Sequence, residues 1–253
     1  MLTLVGLGLN PKKHLTIEAI DRIKDADELY MEIYTSRLMD TTIDDLEKFL
    51  EKEIILLDRK KVESDFLLNL AEKKNIVLLV PGDPMMATTH IGLKISAFER
   101  NIPFNVVNGI SIQCVIPSIL GLQNYKFGRS VSIPFPDYDY YPQSVYDFIS
   151  ENMNLGLHTI AFLDLKESVE MTANMAMDIL LKMEQIYKKN VISQDTIVAV
   201  ISSAGSSLQR AKAGKIKDLM DKDLGPTPHI LIIPGNLHYM EREALEKFAS
   251  LKD

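Results

Sequence analysis

The sequence NIVLLVPGDPMMATTH, from Asn75 to His90, predicts a strand, a turn and the start of a helix in direct succession. Its apolar residues Ile76 to Val80 suit a strand buried on both faces, as in a parallel sheet covered by helices. Pro81 and Pro84 lack the backbone N–H that continues a sheet, so the strand ends there. Small ligands bind outside the carboxyl ends of such strands, and Asp83 is expected to lie there. An aspartate that only bonds its own turn is the open alternative.

The segment after this turn predicts an amphipathic helix. Thr88 or Thr89 is expected to cap its first turn through a hydroxyl group. Ile91, Ile95 and Phe98 fall on one face of the helix at the spacing of 3.6 residues per turn.

The first half of the chain alternates short strand-like segments with longer helix-like ones, which is typical of an α/β domain with a largely parallel sheet. Besides Ile76 to Val80, its strands are expected at Met1–Gly8, Glu28–Ile33, Ile54–Leu57 and Phe104–Val107. Its helices are expected at His14–Asp25, Thr42–Leu50, Val62–Glu72 and Ile110–Leu122.

The chain changes character near Asn124, where proline and aromatic residues become frequent. We therefore predict two α/β domains, residues 1–122 and 123–253, with a ligand cleft between them. The strands of the second domain are expected at Val131–Ile133, Thr159–Leu163, Thr196–Ile201 and His229–Ile233. Its helices are expected at Val145–Asn152, Met171–Lys189 and Leu237–Leu251.

Composition and charge exclude several classes of function. The 253 residues are 46% hydrophobic and 25% charged, as in ordinary soluble globular proteins. The net charge is −7 and no basic block occurs, which argues against nucleic acid as a partner. No apolar run is long enough for a membrane span, and the start of the chain reads as a strand rather than a signal segment. We expect a cytoplasmic protein without a membrane partner.

The cysteine and histidine content gives no metal or disulfide signal. The single cysteine, Cys114, lies in the apolar segment ISIQCVIPSIL and is expected to be a buried structural thiol. The five histidines show no ligand spacing such as HExxH, so no metal is predicted. They are His14, His90, His158, His229 and His238.

Other motifs are weaker. GLGLN lacks the third glycine of GxGxxG, which argues against a nicotinamide dinucleotide, although Gly6 and Gly8 permit close backbone approach at a strand end. Ser36 and Ser206 show no spacing to a histidine and an aspartate that identifies a triad. A methionine-rich stripe is expected to serve core or interface packing; it comprises Met171, Met175, Ile179, Met183 and Ile186.

The loop FPDYDYY, from Phe135 to Tyr141, has two open interpretations. It is either a surface or dimer contact, or a mobile element that meets a large substrate. Tyrosine suits both roles because it has an apolar ring and a polar tip.

Three strings are distinctive together: LVGLGLN at Leu4–Asn10, MEIYTS at Met31–Ser36 and GDPMMATTH at Gly82–His90. They resemble the diphthine synthase branch of the tetrapyrrole-methylase-like family of S-adenosylmethionine-dependent methyltransferases. The GxGPGDP-like string typical of tetrapyrrole-modifying relatives is absent, which favours the diphthine branch. Further matching strings cover nearly the whole chain: NGISI (Asn108–Ile112), YKFG (Tyr125–Gly128), GLHTIAFLDLK (Gly156–Lys166), MTANMAMDILLKME (Met171–Glu184), AGS (Ala204–Ser206) and PHILIIPGNLH (Pro228–His238).

The resemblance implies a fold of two α/β domains with S-adenosyl-L-methionine bound between them and S-adenosyl-L-homocysteine as the product. Apolar side chains and backbone groups would hold adenine, and Asp83 would accept from the ribose hydroxyls or pair with the methionyl ammonium. The sequence does not decide between these two roles. The implied cofactor contacts are Leu9, Asp83, Met86, Ser111, Ile112, Leu163, Ala204 and His229.

The resemblance also implies a substrate, translation elongation factor 2 carrying a 3-amino-3-carboxypropyl group on one histidine. The amino nitrogen of that group would be methylated repeatedly, in a step of diphthamide biosynthesis, by a protein that forms a homodimer. No catalytic side chain is identified; each shed proton would pass to water or to a carboxylate such as Asp83 or Asp164. The alternatives are a precorrin-type tetrapyrrole methyltransferase of the same fold, which an acidic chain makes less attractive, and a non-catalytic module that binds S-adenosylmethionine or a nucleotide.

Overall fold

The computed structural model describes residues 1–34, 36, 38–138, 140–166 and 169–252. They form two compact units, the first comprising Met1–Ile112 with Gly205–Ser207 and the second comprising Gln113–Ala204 with Leu208–Asp253. Within the second unit, Gly121 lies against the helix Tyr239–Ala249: a Cβ on Gly121 would come within 2.3 Å of the Cβ of Ala244.

The first unit is a five-stranded parallel sheet in the order β3-β2-β4-β1-β5. The strands are β1 (Leu2–Gly6), β2 (Glu28–Glu32), β3 (Ile54–Leu57), β4 (Ile76–Val80) and β5 (Phe104–Val107). The helices are α1 (Pro11–His14), α2 (Ile17–Lys24), α3 (Ile43–Leu50), α4 (Arg59–Val62), α5 (Phe66–Ala71) and α6 (Ile91–Glu99), and α7 (Ile112–Leu120) begins at the last residue of Met1–Ile112.

Strand β4 confirms the prediction of a strand buried on both faces. Ile76, Leu78 and Val80 pack in one apolar cluster with residues of α5 and α6. Val77 and Leu79 point the other way and pack with residues of α2 and α3. This alternation follows from the two-residue period of a strand. Because helices cover both faces, the sheet is open to a ligand at its strand ends.

Helix caps in the first unit follow the sequence in some places and not in others. Thr42 forms a capping box with Asp45 at the start of α3. The predicted cap of α6 by Thr88 or Thr89 is wrong, because the residue before α6 is His90, which makes no side-chain cap bond. Thr89 donates its hydroxyl to Glu63 instead, at 2.9 Å.

Helix α6 buries a narrower face than its apolar residues suggest. Leu93 and Ala97 are its buried residues. The three apolar residues that share the opposite face are exposed: Ile91, Ile95 and Phe98.

The second unit contains a five-stranded mixed sheet in the order β11-β10-β12-β7-β6. Only β6 and β7 pair in parallel, and the other neighbours are antiparallel. Its strands are β6 (Val131–Ile133), β7 (Thr159–Leu163), β10 (Ile197–Ser202), β11 (Arg210–Lys215) and β12 (His229–Ile233), with a separate hairpin of β8 (Leu165–Lys166) and β9 (Val169–Glu170). Besides α7, its helices are a 3-10 helix (Asn124–Lys126), α8 (Gln143–Asn154), α9 (Ala173–Tyr187), α10 (Ile216–Leu219) and α11 (Tyr239–Ala249).

Two expectations for this unit need correction. Cys114 is exposed rather than buried, because Ile116 and Leu120 form the buried face of α7 and Cys114 lies off it. The sequence pattern also missed β11, an edge strand with arginine and lysine side chains. The methionine-rich stripe is partly core: Met171, Ile179 and Met183 are buried, whereas Met175 and Ile186 are exposed.

Two motifs fall partly outside the described residues. These are YTS, through Thr35, and FPDYDYY, through Asp139. Among the helices that the structure describes, none is long and apolar enough to cross a membrane.

Candidate functional site

The loops that follow β1 and β4 meet at the carboxyl edge of the first sheet. Gly8 and Gly82 form a bridge there: the Gly8 N–H donates to the Gly82 carbonyl at 3.0 Å, and the Gly82 N–H donates to the Gly8 carbonyl at 2.9 Å. The motifs GLGLN and GDPMMATTH are therefore held side by side by backbone hydrogen bonds. This edge is where ligands bind in open α/β sheets.

The loop after β5 joins them through a close backbone contact. A Cβ on Gly109 would lie 2.2 Å from the carbonyl oxygen of Gly82, and a Cβ on Gly6 would lie 2.4 Å from the Gly109 nitrogen. Glycine at Gly6 and Gly109 thus allows three loops to meet. The predicted close approach at Gly6 is made by the chain's own backbone.

Asp83 is the polar centre of this edge. Its Oδ1 accepts from the Met85 N–H at 2.9 Å, and its Oδ2 accepts from the Asn108 amide at 2.9 Å and from the Gly109 N–H at 3.2 Å. The carboxylate is buried, with 9% of the residue exposed. Asp83 therefore bonds its own turn, which the alternative interpretation of the sequence predicts, and it also bonds the loop after β5.

Sequence reasoning missed His14, which shapes the loop after β1. Its Nδ1 accepts from the backbone N–H groups of Leu9 and Asn10, both at 3.2 Å. Burial lowers the pKa of His14, with a further contribution from the positive charge of Lys13. A neutral imidazole is the form that can accept these bonds. The Asn10 amide in turn donates to the Gly205 carbonyl at 3.2 Å.

A buried pair, Glu32 and His90, connects the MEIYTS and GDPMMATTH segments. The Nε2 of His90 lies 2.8 Å from Oε2 of Glu32, and its Nδ1 lies 2.7 Å from the carbonyl oxygen of Pro84. Both side chains are at most 1% exposed. No sequence motif indicated this pair, since its members are 58 residues apart.

Five of the eight predicted cofactor contacts follow the parallel strands of this unit at their carboxyl ends. Leu9 follows β1, Asp83 and Met86 follow β4, and Ser111 and Ile112 follow β5. Ser111 is buried and Met86 is 41% exposed. The edge therefore offers backbone groups, one carboxylate and apolar side chains, which is a donor set suited to a small polar ligand with an aromatic base.

The remaining three predicted contacts converge on one edge of the second sheet. Leu163 ends β7, His229 begins β12, and Ala204 follows β10 by two residues. The register pairs Ser202 with His229 and Phe162 with Ile230, which places Leu163 opposite His229. Antiparallel pairing thus brings the end of β7, the start of β12 and the end of β10 together.

The imidazole of His229 is fully engaged within this unit. Its Nδ1 accepts from the Ala173 N–H at the start of α9, and its Nε2 lies within bonding distance of the Gly225 carbonyl, both at 3.0 Å. Burial lowers the pKa of His229, so the ring is neutral near pH 7. A ligand would contact His229 through its backbone or ring face.

Ser203 shapes the turn that leads to Ala204. It adopts a left-handed backbone with φ of 47°, which is uncommon for serine. Its N–H donates to the Pro228 carbonyl at 2.9 Å and its hydroxyl donates to the Pro226 carbonyl at 2.8 Å. These bonds hold the strained turn in place.

Two remaining carboxylates have different surroundings. Asp164 accepts from the Phe135 N–H at 3.0 Å through Oδ2 and is half-buried. Glu241 is fully buried beside His158 and Lys126, and it caps α11. Within the described ranges, no group of three histidine, cysteine, aspartate or glutamate residues could hold a metal ion.

Comparison with known proteins places these motifs in context. Residues 1–220 match the family model of the tetrapyrrole (corrin/porphyrin) methylases. A diphthine synthase of Methanococcus maripaludis strain S2 is 44% identical over 250 residues, covering 97% of this chain and 98% of the relative. A diphthine synthase of Methanocaldococcus jannaschii is 42% identical over 252 residues, covering 97% of this chain and 98% of the relative. A diphthine synthase crystal structure superposes with a TM-score of 0.90 at 33% identity, covering 99% of this chain and 96% of that structure.

Proposed function

We propose a specific reaction from one premise: the chain belongs to the tetrapyrrole (corrin/porphyrin) methylase family and, within it, to the diphthine synthases. It is a methyltransferase of the diphthamide pathway with an α/β tetrapyrrole methylase fold. The observation that carries the proposal is 44% identity to a diphthine synthase along 97% of the chain.

The proposed reaction is repeated methylation of one amine. The substrate is translation elongation factor 2 with a 3-amino-3-carboxypropyl group on a histidine, and the acceptor is the amino nitrogen of that group. S-adenosyl-L-methionine supplies the activated methyl group and leaves as S-adenosyl-L-homocysteine. We further propose that the protein acts in the cytoplasm as a homodimer, without a nucleic acid or membrane partner.

The residues at the two strand edges fit this cofactor. Asp83 accepts three described hydrogen bonds, whereas a carboxylate offers about four acceptor positions, so one more donor from a ribose hydroxyl or an ammonium group can be accommodated. The neutral ring of His229 places no positive charge at the edge of the second sheet, which suits a sulfonium. We propose the same eight contacts: Leu9, Asp83, Met86, Ser111, Ile112, Leu163, Ala204 and His229.

The contribution of the protein to the chemistry is positioning. Methyl transfer from a sulfonium needs the nucleophile, the methyl carbon and the sulfur in line, and holding reactants in such a geometry can supply about 7–11 kcal/mol of the barrier reduction. The attacking amine must be neutral, and an α-amino group with a pKa of about 8 is partly neutral at pH 7.

Each of the first two methylations leaves one proton to be shed. Asp83 already accepts bonds through both oxygens, so Asp164 or water is the better acceptor for that proton. We do not propose that Asp164 is essential for the reaction, because water can also accept this proton between turnovers. No side chain forms a covalent intermediate in this scheme.

Transfer of labelled methyl groups to different acceptors tests the proposal. The acceptors are elongation factor 2 with the aminocarboxypropyl-histidine, the same protein without that modification, and a precorrin-type tetrapyrrole. Label in the first acceptor alone supports the proposal. Label in the tetrapyrrole alone would assign the chain to the tetrapyrrole-modifying branch, and cofactor binding without any product would make it a non-catalytic binding module.

A further inference from the structure

We infer that Glu32 and His90 are positioning residues, a buried ion pair that sets the geometry of the cofactor turn Asp83–Met85. The inference rests on the proposed function in one respect, that this turn contacts S-adenosylmethionine. Neither residue is among the proposed cofactor contacts. Their role is to act through Pro84, which lies inside the turn.

The hydrogen bonds of His90 fit a charged ring. One ring nitrogen faces the Pro84 carbonyl at 2.7 Å and the other faces the Glu32 carboxylate at 2.8 Å. A carbonyl and a carboxylate accept hydrogen bonds, and an imidazolium, with a hydrogen on each nitrogen, donates one bond to each of them. The pair is then an imidazolium and a carboxylate, each at most 1% exposed. Such a buried pair is tolerated because each charge has its partner.

The surrounding charges agree with this protonation. Burial alone would lower the pKa of His90, but the hydrogen bond and charge of Glu32, with the Pro84 carbonyl and Glu63, outweigh it, and the pKa is raised. Tyr34 lies beside Glu32, and the Arg59 guanidinium lies 5.2 Å from the centre of the Tyr34 ring.

The pair holds the turn at a point that the turn cannot hold by itself. Pro84 has no N–H, so its only backbone hydrogen-bonding group is the carbonyl that His90 binds. Pro84 lies between Asp83 and Met85. The Met85 N–H donates a hydrogen bond to the Asp83 carboxylate. Glu32 ends β2, the neighbour of β4 in the sheet, so the pair ties the turn to a second strand end.

Three variants separate charge, hydrogen bonding and fold. In His90→Gln, the single amide cannot donate to both Pro84 and Glu32. In Glu32→Gln, a neutral imidazole can make both bonds, because the new amide donates to Nε2 while Nδ1–H donates to Pro84. His158→Gln is the matched control, since His158 is an equally buried histidine bonded to a glutamate, Glu241, but belongs to the second unit.

Binding of S-adenosylhomocysteine, measured by calorimetry from about pH 6 to pH 8.5, is the main readout. We expect His90→Gln to weaken binding about tenfold and to raise KM for the cofactor more than it lowers kcat. Wild-type affinity should fall as the pH rises through the raised pKa of His90, since the proton that permits both bonds is lost. Glu32→Gln should remove this pH dependence, and His158→Gln should leave both affinity and its pH profile unchanged.

Hydrogen exchange of the segment 81–90 without cofactor is the second readout, with His90→Gln expected to exchange faster than the wild type. Unchanged exchange and cofactor affinity within about twofold of wild type in folded variants would overturn the inference and leave the proposed function standing. If the wild type binds no cofactor, the proposed function fails, and exchange of the turn still decides whether the pair positions it. Should His90→Gln not fold, the pH profile of Glu32→Gln decides the matter.

Discussion

The backbone N–H of Gly109 donates to Oδ2 of Asp83 at 3.2 Å, across the ends of two strands that are not neighbours in the sheet. Strand β1 lies between them, and its own loop is bridged to the Asp83 loop at Gly8 and Gly82. The Asp83 carboxylate thus joins the loops after β4 and β5, and the Gly8–Gly82 bridge joins the loop after β1 to them. This arrangement gives Asp83 a role in the fold besides its proposed contact with the cofactor.

Asp83→Asn should weaken both the fold and the cofactor site. An asparagine turns one of the two oxygens into an N–H donor that faces the Met85 N–H or the Gly109 N–H, leaving buried donors unsatisfied. We expect a loss of about 1–3 kcal/mol in the free energy of unfolding, measured by urea denaturation, and a clear loss of S-adenosylhomocysteine affinity by calorimetry. Asp178→Asn, at a half-exposed aspartate paired with Lys182 on α9, is the control and should change neither quantity. Wild-type affinity in Asp83→Asn would remove Asp83 from the site.

Gly109→Ala should separate the three loops. The added Cβ would lie 2.2 Å from the Gly82 carbonyl oxygen, a distance that backbone atoms can relieve only by moving. We expect a destabilisation of about 1–3 kcal/mol in thermal or urea unfolding. Gly92→Ala on α6 is a matched control with no heavy atom within 4 Å of the new Cβ, and it should stabilise by about 0.5 kcal/mol through helix propensity. Equal stability of the two variants would contradict this account of the loop packing.

Glu241→Gln should be strongly destabilising because Glu241 satisfies several buried donors of the second unit. It accepts from the Gln123 N–H, the His238 N–H and His158 Nε2 at 2.8–2.9 Å, and from Lys126. Breaking such a buried charge pair costs about 3–5 kcal/mol. Equilibrium unfolding at neutral pH measures the effect, and the exposed Glu246→Gln on α11 serves as control.

The pH dependence of the free energy of unfolding should also reveal the contribution of Glu241. Burial would raise the pKa of Glu241, but Lys126 and the other donors outweigh it and lower the pKa from 4.5 to about 2. A carboxylate with a lowered pKa stabilises the fold above its unfolded pKa and loses that contribution as the pH falls. Wild-type stability should therefore decline from about pH 4.5 towards pH 2, and Glu241→Gln should lack that part of the decline. A parallel decline in both proteins would show that other groups govern acid unfolding.

The pKa values of the buried histidines should be shifted in opposite directions. Glu32 raises the pKa of His90, whereas burial lowers the pKa of His158 and His229. Nitrogen chemical shifts of the rings, measured by NMR, should show His90 doubly protonated at pH 7 and the other two neutral. The stabilising effect of His90 is lost as the pH rises, and that of His158 and His229 is lost as the pH falls. A neutral His90 at pH 7 would contradict the ion pair.

Much of the fold follows from local patterns. Ile76 to Val80 forms a strand that is buried on both faces. Its uninterrupted apolar run, between a charged helix end and a Pro-Gly turn, predicts such a strand. Strand β11 was missed because its solvent-facing Arg210 and Lys212 alternate only with the small residues Ala211 and Ala213, which give a weak apolar signal. The apolar sequence around Cys114 led us to expect a buried side chain. Which side of α7 is buried depends on the elements that pack against it, and Cys114 lies on another side.

The site was predictable only where a motif carried it. The turn at Asp83 was indicated by the Pro-Gly-Asp-Pro string and its position after a buried strand. The bonds of His14 to the loop after β1 and the pairing of Glu32 with His90 arise from the tertiary fold. No spacing rule connects residues on separate strand ends, so those contacts required the structure.

The most direct test of the central claim is intact-mass spectrometry of elongation factor 2 bearing the aminocarboxypropyl-histidine, after incubation with this protein and S-adenosylmethionine. We predict mass gains in steps of one methyl group, absent from elongation factor 2 without the modification and reduced by Asp83→Asn. An unchanged mass with intact cofactor binding would contradict the proposed function.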